Sequence, residues 1–279
     1  MRLIHCIRPA FVALALCIAV AEPAWCESAT TAPTPPSWAA AVGNDQYGHW
    51  ADLRVGQVTQ RMRYIAPGTF QMGSPADEPG RGPVDETQHP VTLSRGYWLG
   101  NSECTQGLWQ AVMGDNPSRF TGDANRPVET VNWEVCQQFL QRLNAQVKDL
   151  DARLPSEAEW EFACRAGSTG PYAGSSLPDL GWTIQNSDKQ THPVGQKGAN
   201  AWGLFDLHGN VWEWCADWAG DYPTGAQLDP VGPTSGTQRV LRGGCWDTSD
   251  WYARSAYRNS FKPTIGILIV GFRLCAPVR

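Results

Sequence analysis

The stretch "GLFDLHGNVWEWCADW", residues 203–218, is the densest in information along this 279-residue chain. Two carboxylates, Asp206 and Glu213, flank a glycine-containing turn, and Trp212, Trp214 and Trp218 crowd into one short run. Carboxylates so placed can cap turns or pair with an arginine. Trp214 and Trp218 read as core, and His208 is a lone histidine, more readily a satisfied interior side chain than a ligand or base. From Gly170 onward the chain reads as loops and short strands, with no repeat at the spacings of solenoid proteins.

Upstream the signals are clearer. "NWEVCQQFLQRLNAQV" (132–147) brings Val135, Phe139, Leu140, Leu143 and Val147 to helical spacing, with Asn132 as the cap. In "RLPSEAEWEFACRAG" (153–167), Ser156 and Glu159 form a capping box and Gly167 suits the stop. "MRYIAPGTFQMGS" alternates toward a strand and a turn, "PADEPGRGPVDETQHP" reads as an exposed loop, "VTLSRGYWLG" as a strand and "CTQGLWQAV" as a short helix.

The N-terminus has two early arginines, an apolar run from Phe11 to Val20 and a small-x-small site at Ala19–Ala21. That is the layout of a signal peptide over 1–21, and the run is too short for a membrane span. The expected location is therefore the periplasm, or outside the cell, and no later segment reads as transmembrane. Residues 22–60, which open rich in Ala, Thr and Pro, are expected to form a flexible leader, with order beginning near Arg61. One domain is then expected over 61–279. A net charge of -5 without any basic block argues against nucleic acid as a partner. Fourteen tryptophans, 28 glycines and 21 prolines point to a loop-rich fold held by scattered aromatic packing.

Beyond the signal peptide lie Cys26, Cys104, Cys136, Cys164, Cys215, Cys245 and Cys275. An oxidising compartment permits disulfides, but an odd number leaves a thiol unpaired within one chain. No CxxC pair or zinc-finger spacing occurs.

The phrases "APGTFQMGS", "RLPSEAEWEFACRAG", "GLFDLHGNVWEWCADW", "RVLRGGCW", "RSAYR" and "GFRL" follow one another between residues 66 and 274. In that order they resemble the formylglycine-generating enzyme, or sulfatase-modifying factor, family. The resemblance implies an α+β fold with little regular secondary structure, related to the C-type-lectin-like fold. Family enzymes convert a cysteine of unfolded sulfatases to formylglycine, using oxygen, copper and two cysteines five residues apart. Counted forward from "RVLRGG" those positions are Thr248 and Ala253; counted back from "GFR" they are Cys245 and Asp250. Neither count supplies the pair, and soft Cu(I) ligation needs converging thiolates, so copper is not expected. Cys245, the candidate catalytic residue, is left as a reactive thiol or lone ligand, half of a disulfide, or a buried small residue.

The resemblance further implies one calcium site made by the Asp206 side chain, the Gly209 and Val211 carbonyls and the Glu213 carboxylate. It puts Trp212 in a substrate groove, with Trp246, Trp251 and Arg254 as the further groove candidates and Tyr252 nearby. Arg254, Arg258 and Arg273 are open to two uses, binding an acidic group or satisfying backbone carbonyls. The three-histidine iron site of the wider family has no counterpart here, since His192 and His208 are isolated. Members without the cysteine pair include a periplasmic one required for maturation of the pyoverdine chromophore. The expected role is thus maturation of a secreted peptide, a peptide-derived metabolite or a periplasmic protein. A non-catalytic scaffold and an atypical formylglycine generator are the alternatives, and the oligomeric state is open.

Overall fold

A computed structural model describes residues 32–82, 86–174 and 176–279. The signal peptide and Cys26 lie outside the described residues. Three sheets organise the unit Ala32–Arg279. The first has five strands: β1 (Ala39–Asp45), β2 (Gly48–Val55), β3 (Val58–Ile65), β6 (Tyr97–Gly100) and β12 (Cys275–Pro277), in that order. The second pairs β4 (Gly68–Met72), β5 (His89–Leu93) and β8 (Gln227–Leu228). The third runs β10 (Asn259–Phe261), β9 (Arg239–Arg242), β7 (Trp212–Trp218) and β11 (Val270–Gly271).

The helices among the described residues are α1 (Gln106–Met113), α2 (Trp133–Gln146), α3 (Glu157–Arg165) and the short α4 (Leu177–Leu180); α1 packs on α2 and β3, and α3 on β4, β7 and β9. The Asn132 side chain accepts from the Val135 N–H at 2.8 Å, and Cys136, Phe139, Leu140 and Leu143 face the core. Both bonds of the capping box at Ser156 and Glu159 form, and the chain leaves α3 through Ala166 and Gly167 at positive φ. "VTLSRGYWLG" proves to be two strands, β5 and β6, which belong to different sheets. Among the described residues no helix is long and apolar enough to cross a membrane.

The expected flexible leader over 22–60 is corrected for its described part, while residues 22–31 lie outside the described residues. Residues 39–55 form β1 and β2, which extend the five-stranded sheet beyond β3. The cause is a period-two pattern in "GHWADLRV" that buries Ala51, Leu53 and Val55 on one face. They join a core cluster with Trp38, Met62 and Trp98, and the Trp38 and Trp98 rings meet edge-on at 5.9 Å. The Ala/Thr/Pro composition of the segment before it does not extend across this strand.

Leu53→Ala distinguishes an ordered strand from a leader. Full burial of Leu53 predicts a loss of roughly 2–5 kcal/mol in urea unfolding; an unchanged midpoint would contradict its place in the core.

Candidate functional site

The loop that the resemblance marks for chemistry leaves β9 at Arg242 and turns through Gly243 (φ 99°) and Gly244 (φ 75°). A side chain at Gly244 would meet the Ala253 Cα at 3.0 Å, so only glycine lets the loop lie against the 3-10 turn Asp250–Ala253. Cys245 follows, completely buried among a core that includes Trp212, Trp214, Leu241 and Phe272. Its N–H donates to Thr248 Oγ1 at 2.9 Å, and that hydroxyl donates back to the Cys245 carbonyl at 3.0 Å. Burial pushes the thiol up to about 12, which leaves it protonated at neutral pH. Of the other counted positions, Ala253 is buried and Asp250 accepts from Thr183 Oγ1 at 3.0 Å.

The four expected groove residues do not share one surface. Trp212 and Trp246 are buried, and Trp246 packs edge-on to Phe120 while its indole N–H donates to the Leu268 carbonyl at 3.2 Å. Arg254 is also buried, held by Glu78 at 2.6 Å and in a fork by both oxygens of Glu86 at 2.8 Å. Its charge is thereby committed inside the protein. Only Trp251 is exposed, lying over Gly80. Beside it the exposed Tyr252 meets Tyr257 at 4.9 Å, and Tyr257 meets Trp212 at 6.0 Å, so rings lead inward from the surface. Ile184, Ile265, Ile267 and Leu268 are exposed as well, and Leu268 lies against the loop through its carbonyl, which accepts from Trp246. The Ile184 N–H donates to the Thr248 carbonyl at 3.0 Å, which joins that segment to the loop. The run "TIGILIV" was the available sequence signal for this apolar rim.

Six described cysteines, Cys245 among them, are buried free thiols, so the expected disulfides do not form among the described residues. Sequence reasoning also passed over a buried contact between Cys164 and His208, Sγ to Nε2 at 3.7 Å. His208 Nε2 accepts from the Ala173 N–H at 3.0 Å, and Nδ1 lies 2.7 Å from the Ala253 carbonyl, which fixes a neutral ring with its proton on Nδ1. Burial lowers His208 to about 4 and raises Cys164 to about 12. The pair ties the 3-10 turn to the 173 loop and generates no thiolate.

The calcium set does not fit as the resemblance implies. Glu213 is buried, and both its oxygens accept from Arg273 at 2.6 Å while Oε2 also accepts from the Trp160 indole at 2.7 Å. A guanidinium at that place occupies the carboxylate and repels a cation. Asp206 uses Oδ2 to accept from the Gly195 N–H at 2.7 Å. Asp206 Oδ1 and both oxygens of Glu103 are buried without an N–H or hydroxyl donor. Burial raises Asp206 to about 6 and Glu103 well above the carboxylate range. Gly209 and Val211 stay in the turn and strand start; the Gly209 φ of 146° lets it pass within 2.1 Å, as a would-be Cβ, of the Trp182 carbonyl.

Among the described residues, three irregular sheets, four helices and a core of loops tied by buried ion pairs define an α+β protein with the C-type-lectin-like architecture. Residues 53–277 match the sulfatase-modifying factor enzyme 1-like domain, and the chain belongs to that family. It is 33% identical to the chaperone protein LppX of Paenibacillus barcinonensis, over 61% of this chain and 76% of that one. It is 37% identical to the formylglycine-generating enzyme of Streptomyces coelicolor over 57% of this chain, but spans only 55% of that enzyme's length. Among solved structures, PvdO from Pseudomonas aeruginosa superposes with a TM-score of 0.73 at 26% identity, covering 81% of this chain and 98% of that one.

Two outcomes follow from the buried groups. Iodoacetamide is expected to leave the Cys245 peptide unlabelled in the native protein and to label it fully in guanidinium, as read by mass spectrometry. For His208 the unfolded ring titrates near 6.5 and the folded ring near 4, so the unfolded state takes up the proton first. Its contribution to stability is lost as pH falls from 6.5 to 4. Relative to His208→Gln, the wild type is expected to lose about 3 kcal/mol across that window in urea titrations.

Proposed function

We propose that this chain assists maturation of a secreted peptide, peptide-derived metabolite or periplasmic protein by binding it at the apolar rim of the 246–257 loop. In this proposal it works without the two-cysteine copper chemistry. One observation carries the reading. Among the described residues nine large hydrophobic side chains are exposed: Trp251 and Tyr252 belong to this loop, Ile184 is tied to it through the Thr248 carbonyl, and the Leu268 carbonyl accepts from the Trp246 indole, with Ile265 and Ile267 in the same run as Leu268. Contiguous exposed apolar groups mark binding surfaces, and aromatic anchors contribute most of the affinity at such surfaces. Beneath the rim, Cys245 is packed into the core and its thiol is held protonated.

The likeness to a protein named as a chaperone supports an assisting role, and the likeness to PvdO supports a member of the family outside formylglycine formation. Calcium has no part in the proposal, because Glu213 is committed to Arg273. The binding step uses the protein's own groups: Trp251 and Tyr252 cover an apolar segment of the ligand, and the isoleucines and Leu268 exclude water from it.

Two experiments test the halves separately. Selection of a random phage-displayed peptide library should enrich sequences with paired apolar residues on the wild type and lose that enrichment on Trp251→Ala/Tyr252→Ala, whose melting temperature should stay that of the wild type. Enrichment that survives the double variant refutes the rim as the binding surface. Anaerobic Cu(I) titration, followed by assay on a sulfatase-motif peptide, should give no tight binding and no formylglycine; turnover there overturns the second half.

A further inference from the structure

A cleft of about 540 Å³ opens where β3 outruns its neighbour, and none of the rim residues lines it. β6 pairs with β3 only from Met62 to Ile65. One more bond continues that ladder, from the Asn101 N–H to the Arg61 carbonyl at 2.9 Å. After it the chain turns away into α1. Val58, Thr59 and Gln60 still pair with β2 on one side but have no strand opposite them on the other.

Main-chain groups of alternate strand residues point to the same side. The Arg61 carbonyl points to Asn101, so the N–H and carbonyl of Thr59 point the same way, into the cleft. A strand edge with unmatched main-chain groups is a template for another strand. Here that edge is short and lies in a concave site within the size range of ligand pockets, about 300–1,000 Å³.

The surrounding side chains fit a neutral occupant. Gln57, Thr59, Asn101, Ser102 and Asn125 offer amides and hydroxyls, and Phe205 offers one half-buried ring. The charged side chains among the cleft's described lining residues, Arg61 and Asp52, neutralise each other through two bonds of 2.9 and 3.1 Å. Arg61 is further held by stacking on Trp50 at 3.9 Å. The wall is thus stiff and uncharged, with a polar main-chain edge. The matching chemistry is a peptide backbone carrying small hydroxyl or amide side chains. A saccharide would meet the side chains but would leave the directional pair at Thr59 poorly used.

We propose that this cleft binds an extended, uncharged Ser/Thr/Asn-rich peptide segment by adding it as a short strand to β3 where β6 leaves off. The site is separate from the rim, so either can fail without the other.

The test uses the peptide acetyl-Thr-Val-Thr-Asn-Thr-amide, titrated into the nitrogen-15-labelled protein to low millimolar concentration. Amide shifts should be confined to the cleft, at Thr59, Asn101 and Asn125, and should disappear when the peptide's central residue is N-methylated. Thr59→Pro removes the edge N–H and should weaken binding about fivefold, the effect of one main-chain hydrogen bond. Asn125→Trp fills the cleft from an exposed position without touching β3 and should abolish the shifts, which keeps the test valid if Thr59→Pro disturbs the strand. Shifts absent from Thr59, shifts indifferent to N-methylation, or equal shifts with maltotriose would each overturn strand addition.

Discussion

Burying arginine is the constraint that shapes this protein. Arg242 and Arg273 are fully enclosed, and each is held by a carboxylate and by main-chain carbonyls that no helix or sheet would otherwise satisfy. Arg242 pairs with Glu161 and donates to the carbonyls of Ser255, Ala256 and Tyr257 at 2.7–2.8 Å. Arg273 pairs with Glu213 and donates to the carbonyls of Gly100 and Phe205 at 3.1 and 3.0 Å. Buried carbonyls must find donors, and a guanidinium offers five in a fixed plane. A fold made largely of loops can therefore be crosslinked from within by arginine, provided every charge has its partner. The cost is exposure to failure: a buried charge stripped of its partner costs roughly 3–5 kcal/mol.

That constraint also explains why α3 is buried almost all round. Glu157, Glu161 and Arg165 face inward together with Trp160 and Phe162. Glu157 takes Arg258, Glu161 takes both Arg165 and Arg242, and Arg165 reaches on to the Gly73 carbonyl at 2.8 Å. The helix acts as a ridge of anions on which separate loops are hung. Arginines that the sequence left open between ligand binding and internal support are thus internal supports, with Glu78 and Glu86 performing the same service for Arg254.

What the sequence made legible follows from range. The caps of α2 and α3 lie within four residues of what they cap, so Asn132, Ser156 and Glu159 could be assigned by spacing alone. The six ordered phrases carry the fold only together, since Arg273 of "GFRL" pairs with Glu213 of "GLFDLHGNVWEWCADW" and Arg242 of "RVLRGGCW" with Glu161 of "RLPSEAEWEFACRAG". Sites are different. Asp206 and Glu213 have the residue types of a calcium site, yet Glu213 is claimed by Arg273 sixty positions later, and Asp206 sits against Glu103 from a distant segment. Trp212 and Trp246 are aromatic in the expected place, but aromatics serve cores and clefts equally, and only packing separates the two. β2 was missed for another reason: its alternation is short and follows a Pro-rich segment whose composition dominates the window.

The cysteines show why proximity and position do not make a reactive centre. Cys164 touches a histidine and Cys245 stands in the loop where the resemblance looks for chemistry, yet both thiols are driven up to about 12. In each case burial is the leading cause. A thiolate needs a positive charge or donors turned toward sulfur, in a place water can help solvate. Near Cys164, Arg165 and Arg242 pair with Glu161 and pull the thiol down less than burial pushes it up, and His208 is itself held neutral between the Ala173 N–H and the Ala253 carbonyl. Ion pairing that stabilises the loops therefore withholds the electrostatic support a nucleophile would require. The interior around this loop is built for shape, and the same packing leaves Trp251, Tyr252 and Ile184 on the surface.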